Sequence, residues 1–218
     1  MIPKIIHQIW IGSAAIPPEY LEFSSKWREM YPDFEYILWD DARIMNQNLL
    51  SEDKDFIYQS KVYPIAMKAD IIRYEIVNQI GGMYIDMDFQ PLRKMEDKWF
   101  DGKFFGAMQS NREVAIGLFA AIANEPLLTE VNETVVKHIR REFQKLTSLK
   151  RIDLLTGPTF FNSVCKKFQG QDGYHFFENE SFYPYDHTES HRRHEDFSKS
   201  SPLAYAVHHW AHNWFGKS

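Results

Sequence analysis

Residues 64–91 read PIAMKADIIRYEIVNQIGGMYIDMDFQP, and this stretch decides the fold of the chain. Its first half predicts a helix, because apolar residues recur every three or four positions along one face. These residues are Ile65, Ala69, Ile72, Ile76 and Ile80. Pro64 suits the first turn of a helix, and Gly81 suits the left-handed residue that ends one. At about 100° per residue, Asp70 and Arg73 fall beside the apolar face, one turn apart on the same side.

The second half of this stretch predicts a strand from Met83 to Asp88. Side chains alternate along a strand, so Tyr84, Asp86 and Asp88 would share one side of it. Aspartate is disfavoured inside strands, and two of them on one face at a strand end indicate a binding site. Two such carboxylates can share one hard cation and leave its other positions to the phosphates of a ligand.

An Asp-x-Asp pair is weak evidence alone, since chance produces one in a chain of this length about half of the time. The chain contains a second pair, Asp53-Lys54-Asp55, which reads as a solvated charged turn. Asp86 and Asp88 differ from it in context, because an apolar helix, a Gly-Gly turn and a strand precede them. An ordinary helix–strand unit with a charged end is the alternative interpretation.

The pattern from Ala69 to Asp88 closely resembles the Asp-x-Asp glycosyltransferases of family 32. That family includes initiating mannosyltransferases, capsule and lipopolysaccharide sugar transferases and, more distantly, the clostridial glucosylating toxins. The resemblance covers essentially the whole chain and implies an α/β fold of the GT-A type. Such a fold is a Rossmann-like, nucleotide-sugar-binding single domain, expected here over residues 1–218, with a mostly parallel central sheet and helices on both faces.

Length, charge and cysteine content limit the classes of function. The chain has 218 residues, which allows one large domain or two small ones, and its 44% hydrophobic content is enough for a full core. A formal net charge of −5 argues against a nucleic-acid partner, which requires basic surface. The single cysteine, Cys165, excludes an internal disulfide. The sequence begins with a strand-like segment and shows no signal peptide or transmembrane segment. We therefore expect a cytoplasmic enzyme, or a catalytic domain cut from a longer chain.

Residues Ile2–Ile11 predict a first, buried strand, because they form a short isoleucine-rich run that ends at a glycine. The carboxyl end of this run carries His7, Gln8 and Trp10, and open α/β sheets bind their ligands at such ends. The resemblance assigns these three residues to the base or ribose of a nucleotide donor. A hydrogen-bonded core histidine and a core tryptophan are the alternative.

The remaining segments continue an α/β pattern. Helices are predicted at Pro18–Met30, within 42–62, at Glu125–Lys145 and at Phe160–Phe168, and strands at Phe34–Trp39, Phe104–Met108 and within Glu113–Ala123. Thr156 and Gly157 precede the last of these helices. The resemblance places similar turns near the donor sugar, although helix initiation explains both residues equally well. Residues 174–201 are aromatic and polar with weak periodicity, and they form the candidate for a mobile acceptor loop.

The tail from Ala204 to Trp214 alternates like a strand and ends in a group of ligand-type side chains. Family 32 sequences often close with a similar pattern. The resemblance implies that His208 ligates the cation, with His209 as the alternative, and that Asn213 and Trp214 contact the donor. Asn213 stands where serine is common in the family, which leaves the role of that position open.

Nine histidines raise the alternative of a zinc site. The two clusters are His187, His191 and His194, and His208, His209 and His212. The chain lacks the cysteine pairs and the His-Glu-x-x-His sequence that are typical of zinc sites. A cation held by Asp88, Asp86 and His208 explains the sequence better. Mixed oxygen and imidazole ligands suit Mn²⁺ somewhat better than Mg²⁺.

The resemblance implies catalytic roles for Asp86, Asp88, Arg73 and Asp70. Asp88 is the first choice for direct metal ligation, while Asp86 either reaches the metal through water or contacts the ribose or sugar. Arg73 would hold a sugar hydroxyl or a phosphate, Asp70 would accept from sugar hydroxyls, and Tyr84 would join them in binding the donor. The alternative is an ion pair of Asp70 and Arg73 on the helix surface, which contributes only about 0.3–0.5 kcal/mol.

The activity implied by the resemblance is that of a metal-dependent glycosyltransferase. Such an enzyme would move a hexose from a nucleotide-diphosphate sugar to a glycan or another hydroxyl acceptor, with retention of the anomeric configuration. A UDP-sugar is the preferred donor and GDP-mannose the alternative. The rival interpretations are a hydrolase of nucleotide sugars, a non-catalytic carbohydrate-binding module and a zinc enzyme.

Overall fold

The computed structural model describes residues 1–109, 112–143 and 152–210. The strands are β1 (Ile5–Ile9), β2 (Glu35–Trp39), β3 (Gly82–Ile85), β4 (Phe89–Pro91), β5 (Phe104–Met108), β6 (Val114–Ala121), β7 (Tyr174–Phe177) and β8 (Ala206–His208). The helices are α1 (Pro18–Met30), α2 (Asp41–Asn46), α3 (Glu52–Gln59), α4 (Ile65–Ile80), α5 (Pro126–Glu142), α6 (Ile152–Leu155), α7 (Pro158–Cys165) and α8 (Phe197–Ser200). No helix within the described ranges has the length and hydropathy needed to cross a bilayer.

Six strands form the central sheet in the order β2-β1-β3-β6-β5-β7. β1 pairs in parallel with β2 and β3, and β5 pairs in parallel with β7, whereas β6 is antiparallel to both of its neighbours. Every strand except β6 therefore runs in the same direction. The carboxyl ends of β1 and β3 lie side by side, which is where open α/β sheets bind ligands. The predicted α/β fold with a mostly parallel sheet is confirmed.

Two apolar clusters cover the two faces of this sheet. Along β3, Tyr84 belongs to one cluster and Met83 and Ile85 belong to the other, as strand alternation requires. The helix α4 lies in the first cluster, and its residues 69–77 are all buried rather than only those on one face. This burial carries the polar groups of α4 into the protein interior.

A separate ladder of two antiparallel strands joins β4 to β8, with Phe89 opposite His208. The predicted strand from Met83 to Asp88 is wrong in its second half, because β3 ends at Ile85 and residues 86–88 turn into β4. The chain leaves the central sheet here to pair with a strand that lies far along the sequence. Local alternation carries no information about such a partner.

The second Asp-x-Asp pair, residues 53–55, lies in α3, so the prediction of a turn is wrong, and the predicted exposure to solvent holds for Asp53 but not for Lys54. Lys54 is only 5% exposed, its ammonium group pairs with Glu75 of α4, and it also donates to Asn132 of α5. The high local charge indicated contact with water. The partners that allow burial lie on two distant helices, which the local sequence does not reveal.

Residues 174–201 contain more regular structure than the predicted loop. They include β7, and a 3-10 helix at His187–His194 begins with a capping box of Asp186 and Glu189. Phe182 and Tyr183 are buried in the second apolar cluster. The segment is therefore anchored in the core, and its role toward an acceptor stays a prediction.

The turn between α4 and β3 depends on a glycine, and Gly82→Ala is expected to lower the free energy of unfolding by about 1–3 kcal/mol. Gly82 has a φ of +102°, and a Cβ there would lie 2.8 Å from the main-chain oxygen of Ile5 and 2.9 Å from His7 Nε2. Gly170→Ala is the matched control, since Gly170 has a φ of +80° but no atom within 4 Å of its Cβ position. Urea unfolding measures both variants, and equal losses would contradict the role of crowding.

Candidate active site

The turn at residues 86–88 lies just beyond the carboxyl end of β3, and main-chain hydrogen bonds hold it from two sides. The Asp86 N–H donates to the Gly117 oxygen of β6 at 2.8 Å. The His209 N–H, immediately after β8, donates to the Asp88 oxygen at 3.1 Å. The positions of the two aspartates are thus set by neighbouring segments and not by alternation within one strand.

Asp86, Asp88 and His208 form the candidate metal centre. His208 Nε2 lies 3.1 Å from Asp88 Oδ1 and 3.9 Å from Asp86 Oδ2. One ligand atom from each residue lies within 4.8 Å of the other two, and no other group of His, Cys, Asp or Glu in the described ranges is assembled in this way. The structure thus brings together the three residues predicted as metal ligands.

The chemistry of this donor set fits a divalent cation. Two carboxylates and one imidazole can ligate Mn²⁺, and also Mg²⁺, which prefers oxygen. Burial opposes protonation of His208, but the nearby charges of Asp88 and Asp86 outweigh burial and raise its pKa. A cation would replace that proton, because a ligating imidazole is neutral. His208 Nδ1 is buried without a hydrogen-bond partner in the described part of the chain.

The alternative ligand, His209, is already engaged by protein groups. Its Nε2–H donates to Gln90 Oε1 at 2.9 Å, and its Nδ1 accepts from the Tyr185 hydroxyl at 3.2 Å. Burial lowers the pKa of His209 to about 4, so the ring is neutral. Of the two adjacent histidines, only His208 directs a ring nitrogen at the aspartates.

The geometry of the described histidines does not support the alternative of a zinc site. His187, His191 and His194 lie on one 3-10 helix, and they are not part of a close group of ligating side chains within the described ranges. His212 lies outside the described residues. The one assembled group contains two carboxylates, which is the donor set of the predicted oxygen-rich site.

Arg73 lies at the centre of the acidic groups and is 3% exposed. Its Nη1 lies 3.1 Å from Asp86 Oδ1 and donates to the Ile116 oxygen at 3.0 Å, while its Nη2 lies 3.3 Å from Asp70 Oδ1. Burial opposes the charge of Arg73, but the surrounding acids outweigh burial and raise its pKa. The alternative of a surface ion pair is therefore wrong, because α4 is buried on this side as well.

Asp70 lies beneath the site and is 4% exposed. The Thr156 hydroxyl donates to Asp70 Oδ2 at 2.8 Å, and Arg73 contacts the other oxygen. Burial raises the pKa of Asp70 to about 6, against the opposing effects of Arg73 and Thr156. The carboxylate consequently changes its charge at mildly acidic pH.

Asp70→Asn is expected to flatten the pH dependence of stability between about pH 4 and 6. The pKa of Asp70 is about 6 when folded, against 3.8 for a free side chain, so the folded wild type binds more protons in this window. Its free energy of unfolding therefore falls, relative to the variant, by up to about 3 kcal/mol as pH rises through the window. Urea unfolding of both proteins across this range gives the difference, and parallel curves would contradict the prediction.

Tyr84, predicted to bind the donor, is 1% exposed and lies below Asp86. Its hydroxyl donates to Asp86 Oδ1 at 2.5 Å, and the Arg73 guanidinium lies 4.8 Å from its ring centre. Burial raises the pKa of Tyr84 well above its ordinary value, so the hydroxyl remains a donor. Tyr84 orients Asp86 and does not itself present a surface to a ligand.

His7 and Gln8, also predicted to bind the donor, are completely buried. His7 Nε2–H donates to the Gly81 oxygen at 2.8 Å and its Nδ1 accepts from Trp39 Nε1 at 3.1 Å, so both nitrogens are occupied. Burial lowers the pKa of His7 to about 4. Gln8 Nε2 donates to the main-chain oxygen of Asp86 at 3.4 Å. Gln8 thus supports the turn at residues 86–88 from the protein interior, whereas His7 links the end of α4 to β2.

Trp10 remains a candidate for contact with the donor. It is only partly buried, its Nε1 donates to the Ala14 oxygen at 2.6 Å, and it packs edge-on against Tyr20. Both rings belong to a small cluster with Met87, the residue between the two aspartates. Of His7, Gln8 and Trp10, Trp10 is therefore the residue that combines partial exposure with contact to the turn at residues 86–88, called the motif turn below.

Thr156 and Gly157 are explained largely by packing. Thr156 is fully buried, bonds to Asp70 and accepts at its main-chain oxygen from the Tyr74 hydroxyl at 2.6 Å. A Cβ at Gly157 would lie 2.7 Å from the Asp153 Cα, so close approach to α6 requires a glycine. Asn213 and Trp214 lie outside the described residues.

Tyr183 is a residue near the site that the sequence did not identify. It is 2% exposed, its ring is edge-on to Phe89 at 5.4 Å, and it lies 5.3 Å from the His208 ring. Burial raises the pKa of Tyr183 well above its ordinary value, and the charges of Asp86 and Asp88 raise it further. The Phe182–Tyr185 aromatic run was visible in the sequence, but nothing in it indicated which ring would approach the aspartates.

Known proteins provide sequence matches to much of the chain. Residues 17–105 match the family described as "Glycosyltransferase sugar-binding region containing DXD motif". The uncharacterized glycosyltransferase L373 of Acanthamoeba polyphaga mimivirus is 30% identical over 77% of this chain and 66% of its own length. Mannosyl phosphorylinositol ceramide synthase CSH1 of Saccharomyces cerevisiae is 29% identical over 78% of this chain and 44% of its own length. The chain thus spans less than half of the length of that yeast relative.

Solved structures give the same fold at low identity. The glycosyltransferase PaToxG has a TM-score of 0.62 at 19% identity, over 77% of this chain and 70% of its own. The ligand-free glycosyltransferase domain of the YGT toxin has a TM-score of 0.60 at 10% identity, over 80% of each chain. Both likenesses concern the fold. Together with the matches in sequence, they show that the chain is similar to the DXD-motif glycosyltransferases and has their GT-A fold.

Proposed function

We propose that the chain is a divalent-cation-dependent mannosyltransferase that moves a mannosyl group from GDP-mannose to a hydroxyl acceptor. The observation that carries this proposal is the assembled group of Asp86, Asp88 and His208 beside the buried Arg73. Mannose is favoured by the names of relatives, which include "Inositol phosphoceramide mannosyltransferase 3" of Schizosaccharomyces pombe, 36% identical over 40% of this chain and 24% of its own length. GDP-mannose, which was the alternative donor in the interpretation of the sequence, is therefore proposed in place of a UDP-sugar.

Asp86, Asp88 and His208 would hold Mn²⁺ or Mg²⁺. When bound, such a cation supplies positive charge to the diphosphate as it leaves the sugar. The other residues prepare this centre: Arg73 keeps Asp86 and Asp70 close together despite their like charges, and Tyr84 fixes one Asp86 oxygen. Preorganised groups of this kind lower the barrier because they need little rearrangement during the reaction.

The donor would lie between the cation centre and Trp10. The indole offers a flat apolar surface for the nucleotide base. Asp70 is too deeply buried to reach a donor hydroxyl in this arrangement, so its proposed role is to balance the positive charge of Arg73 and to hold the guanidinium in place.

We also propose that the enzyme retains the anomeric configuration of the sugar, which an NMR spectrum of the first product tests. The cytoplasmic location expected from the sequence also stays a prediction, which cell fractionation tests.

Nucleotide release tests the proposed activity directly. The purified chain is incubated with GDP-mannose or UDP-glucose, with Mn²⁺ or with a chelator, and with or without a mannoside acceptor. Release of GDP that requires both Mn²⁺ and acceptor supports the transferase. Equal GDP release without acceptor would instead identify a hydrolase, and metal-independent binding without any release would identify a carbohydrate-binding module. Preference for UDP-glucose would overturn the assignment of the donor.

A further inference from the structure

Only two buried side-chain polar atoms in the described part of the chain lack a hydrogen-bond partner, and both belong to the candidate site. They are the Tyr183 hydroxyl and His208 Nδ1. A buried polar group without a partner is destabilising, so native proteins rarely leave such groups unpaired. Two of them on adjacent rings, 5.3 Å apart between centres, indicate that something polar binds here.

The surroundings of Gly117 define where the Tyr183 hydroxyl lies. A Cβ on Gly117 would be 2.9 Å from Asp86 Oδ2 and 3.0 Å from the Tyr183 hydroxyl oxygen. Because both oxygens are this close to one point, they are at most about 6 Å apart, a separation that one bridging oxygen atom can span. The Gly117 N–H is the neighbouring main-chain group, and it can only donate to the hydroxyl oxygen. The hydroxyl proton is therefore available.

The two oxygens of Asp86 have different partners. Arg73 Nη1 contacts both, at 3.1 Å from Oδ1 and 3.3 Å from Oδ2, but Oδ1 also accepts from the Tyr84 hydroxyl, whereas Oδ2 lies 3.9 Å from His208 Nε2. Oδ2 is thus the oxygen on the side of the candidate cation. The Tyr183 hydroxyl lies on the same side of Gly117 as this oxygen, because both are next to the position that a Cβ of residue 117 would occupy.

We infer that Tyr183 is a further binding residue of this site, whose hydroxyl donates a hydrogen bond to an oxygen held beside Asp86. That oxygen belongs to a water bound with the cation or to a phosphate of the donor, and both offer the same acceptor chemistry. This inference rests on the proposed function, since it assumes a cation at Asp86 and Asp88. It adds a hydroxyl donor from the Phe182–Tyr185 segment to a site otherwise built from α4, the motif turn and β8.

Tyr183→Phe tests the inference, because it removes the hydroxyl and keeps the ring that packs on Phe89 and His208. Free Mn²⁺ is measured by electron paramagnetic resonance as it is titrated into the protein, with and without GDP. We expect Mn²⁺ affinity to fall about 10-fold or more, while the thermal midpoint of the metal-free protein does not fall. A loss without GDP identifies the water as the acceptor, and a loss only with GDP identifies the phosphate.

Tyr31→Phe is the matched control, because Tyr31 is equally buried and its hydroxyl bonds to the Met95 N–H, which is not part of the site. Unchanged Mn²⁺ affinity of Tyr183→Phe in both arms would overturn the inference while leaving the proposed function in place. If the wild type binds no Mn²⁺ in either arm, the cation centre itself fails, and the inference fails with it.

Gly117→Ala provides an independent variant. Its methyl group would be forced against Asp86 Oδ2 and the Tyr183 hydroxyl, so Mn²⁺ affinity is expected to fall here too. Gly106→Ala is its control, since the three atoms nearest to a Cβ at Gly106 are side-chain carbons of Phe104 and Val114, at 3.2–3.3 Å. Equal Mn²⁺ affinities of these two variants would also speak against a polar acceptor beside Gly117.

Discussion

Asp88→Asn is expected to lower mannosyl transfer by at least about 100-fold. The substitution keeps the shape of the side chain but removes one of the two negative charges of the centre. It also removes the anionic partner that His208 Nε2 contacts at 3.1 Å. Charge loss at a site of this kind weakens cation binding directly, and the leaving diphosphate then loses its counter-charge. GDP release and Mn²⁺ titration of the same preparation measure both effects.

The chain supplies its own control for this experiment. Asp53→Asn alters the first aspartate of the other Asp-x-Asp pair, which is exposed and bonds to Arg140. That variant is expected to retain both the wild-type rate and the wild-type Mn²⁺ affinity. Retention of Mn²⁺-dependent transfer by Asp88→Asn would exclude the proposed centre, as would a comparable loss in Asp53→Asn.

Arg73→Met is expected to lower the free energy of unfolding by about 3–5 kcal/mol and to abolish transfer. Arg73 is the buried cation between Asp70 and Asp86, and methionine can fill much of its volume without its charge. The buried carboxylate of Asp70 and the partly buried carboxylate of Asp86 would then lose the cation that lies between them. Burial raises the pKa of Asp70 to about 6, and protonation of Asp70 would relieve the repulsion, so the destabilisation should be larger at pH 7 than at pH 5. Urea unfolding at both pH values measures this difference.

Arg140→Met separates burial from charge in this comparison. Arg140 also pairs with an aspartate, but its side chain is 61% exposed and that of Asp53 is 55% exposed. Exposed pairs contribute about 0–1 kcal/mol, so this variant should unfold almost as the wild type does. If Arg73→Met lowered the free energy of unfolding as little as Arg140→Met does, Arg73 would not be needed to balance the charges of Asp70 and Asp86.

The parts of the site that the sequence predicted correctly are those with a local pattern. The periodicity of α4 and the glycines at 81 and 82 lie within one short stretch, so the placement of α4 before β3 follows from local geometry. The aspartates at 86 and 88 lie in the same stretch, but main-chain contacts with Gly117 and His209 set their positions. His208 was different: only resemblance to a family connected it with the aspartates, since no local rule links residues so far apart. The structure then brought it to 3.1 Å from Asp88.

The parts that were missed depend on contacts between distant segments. β3 ends early because β4 pairs with β8, and Lys54 is buried because Glu75 and Asn132 lie on other helices. His7 was predicted to bind the donor, but both of its ring nitrogens form hydrogen bonds within the protein, to Gly81 and Trp39. In each case the residue type was compatible with two roles, and tertiary partners decided between them.

The ladder of β4 and β8 also affects the order in which the site can form during protein synthesis. Gln90 and His209, which bond to each other beside the motif turn, are separated by 119 residues. At about 5–20 residues per second, a ribosome needs roughly 6–24 s to make that interval. The imidazole of the proposed cation centre, which lies in β8, is therefore made only seconds after the two aspartates, so the centre cannot be complete until nearly the whole described chain has been synthesised.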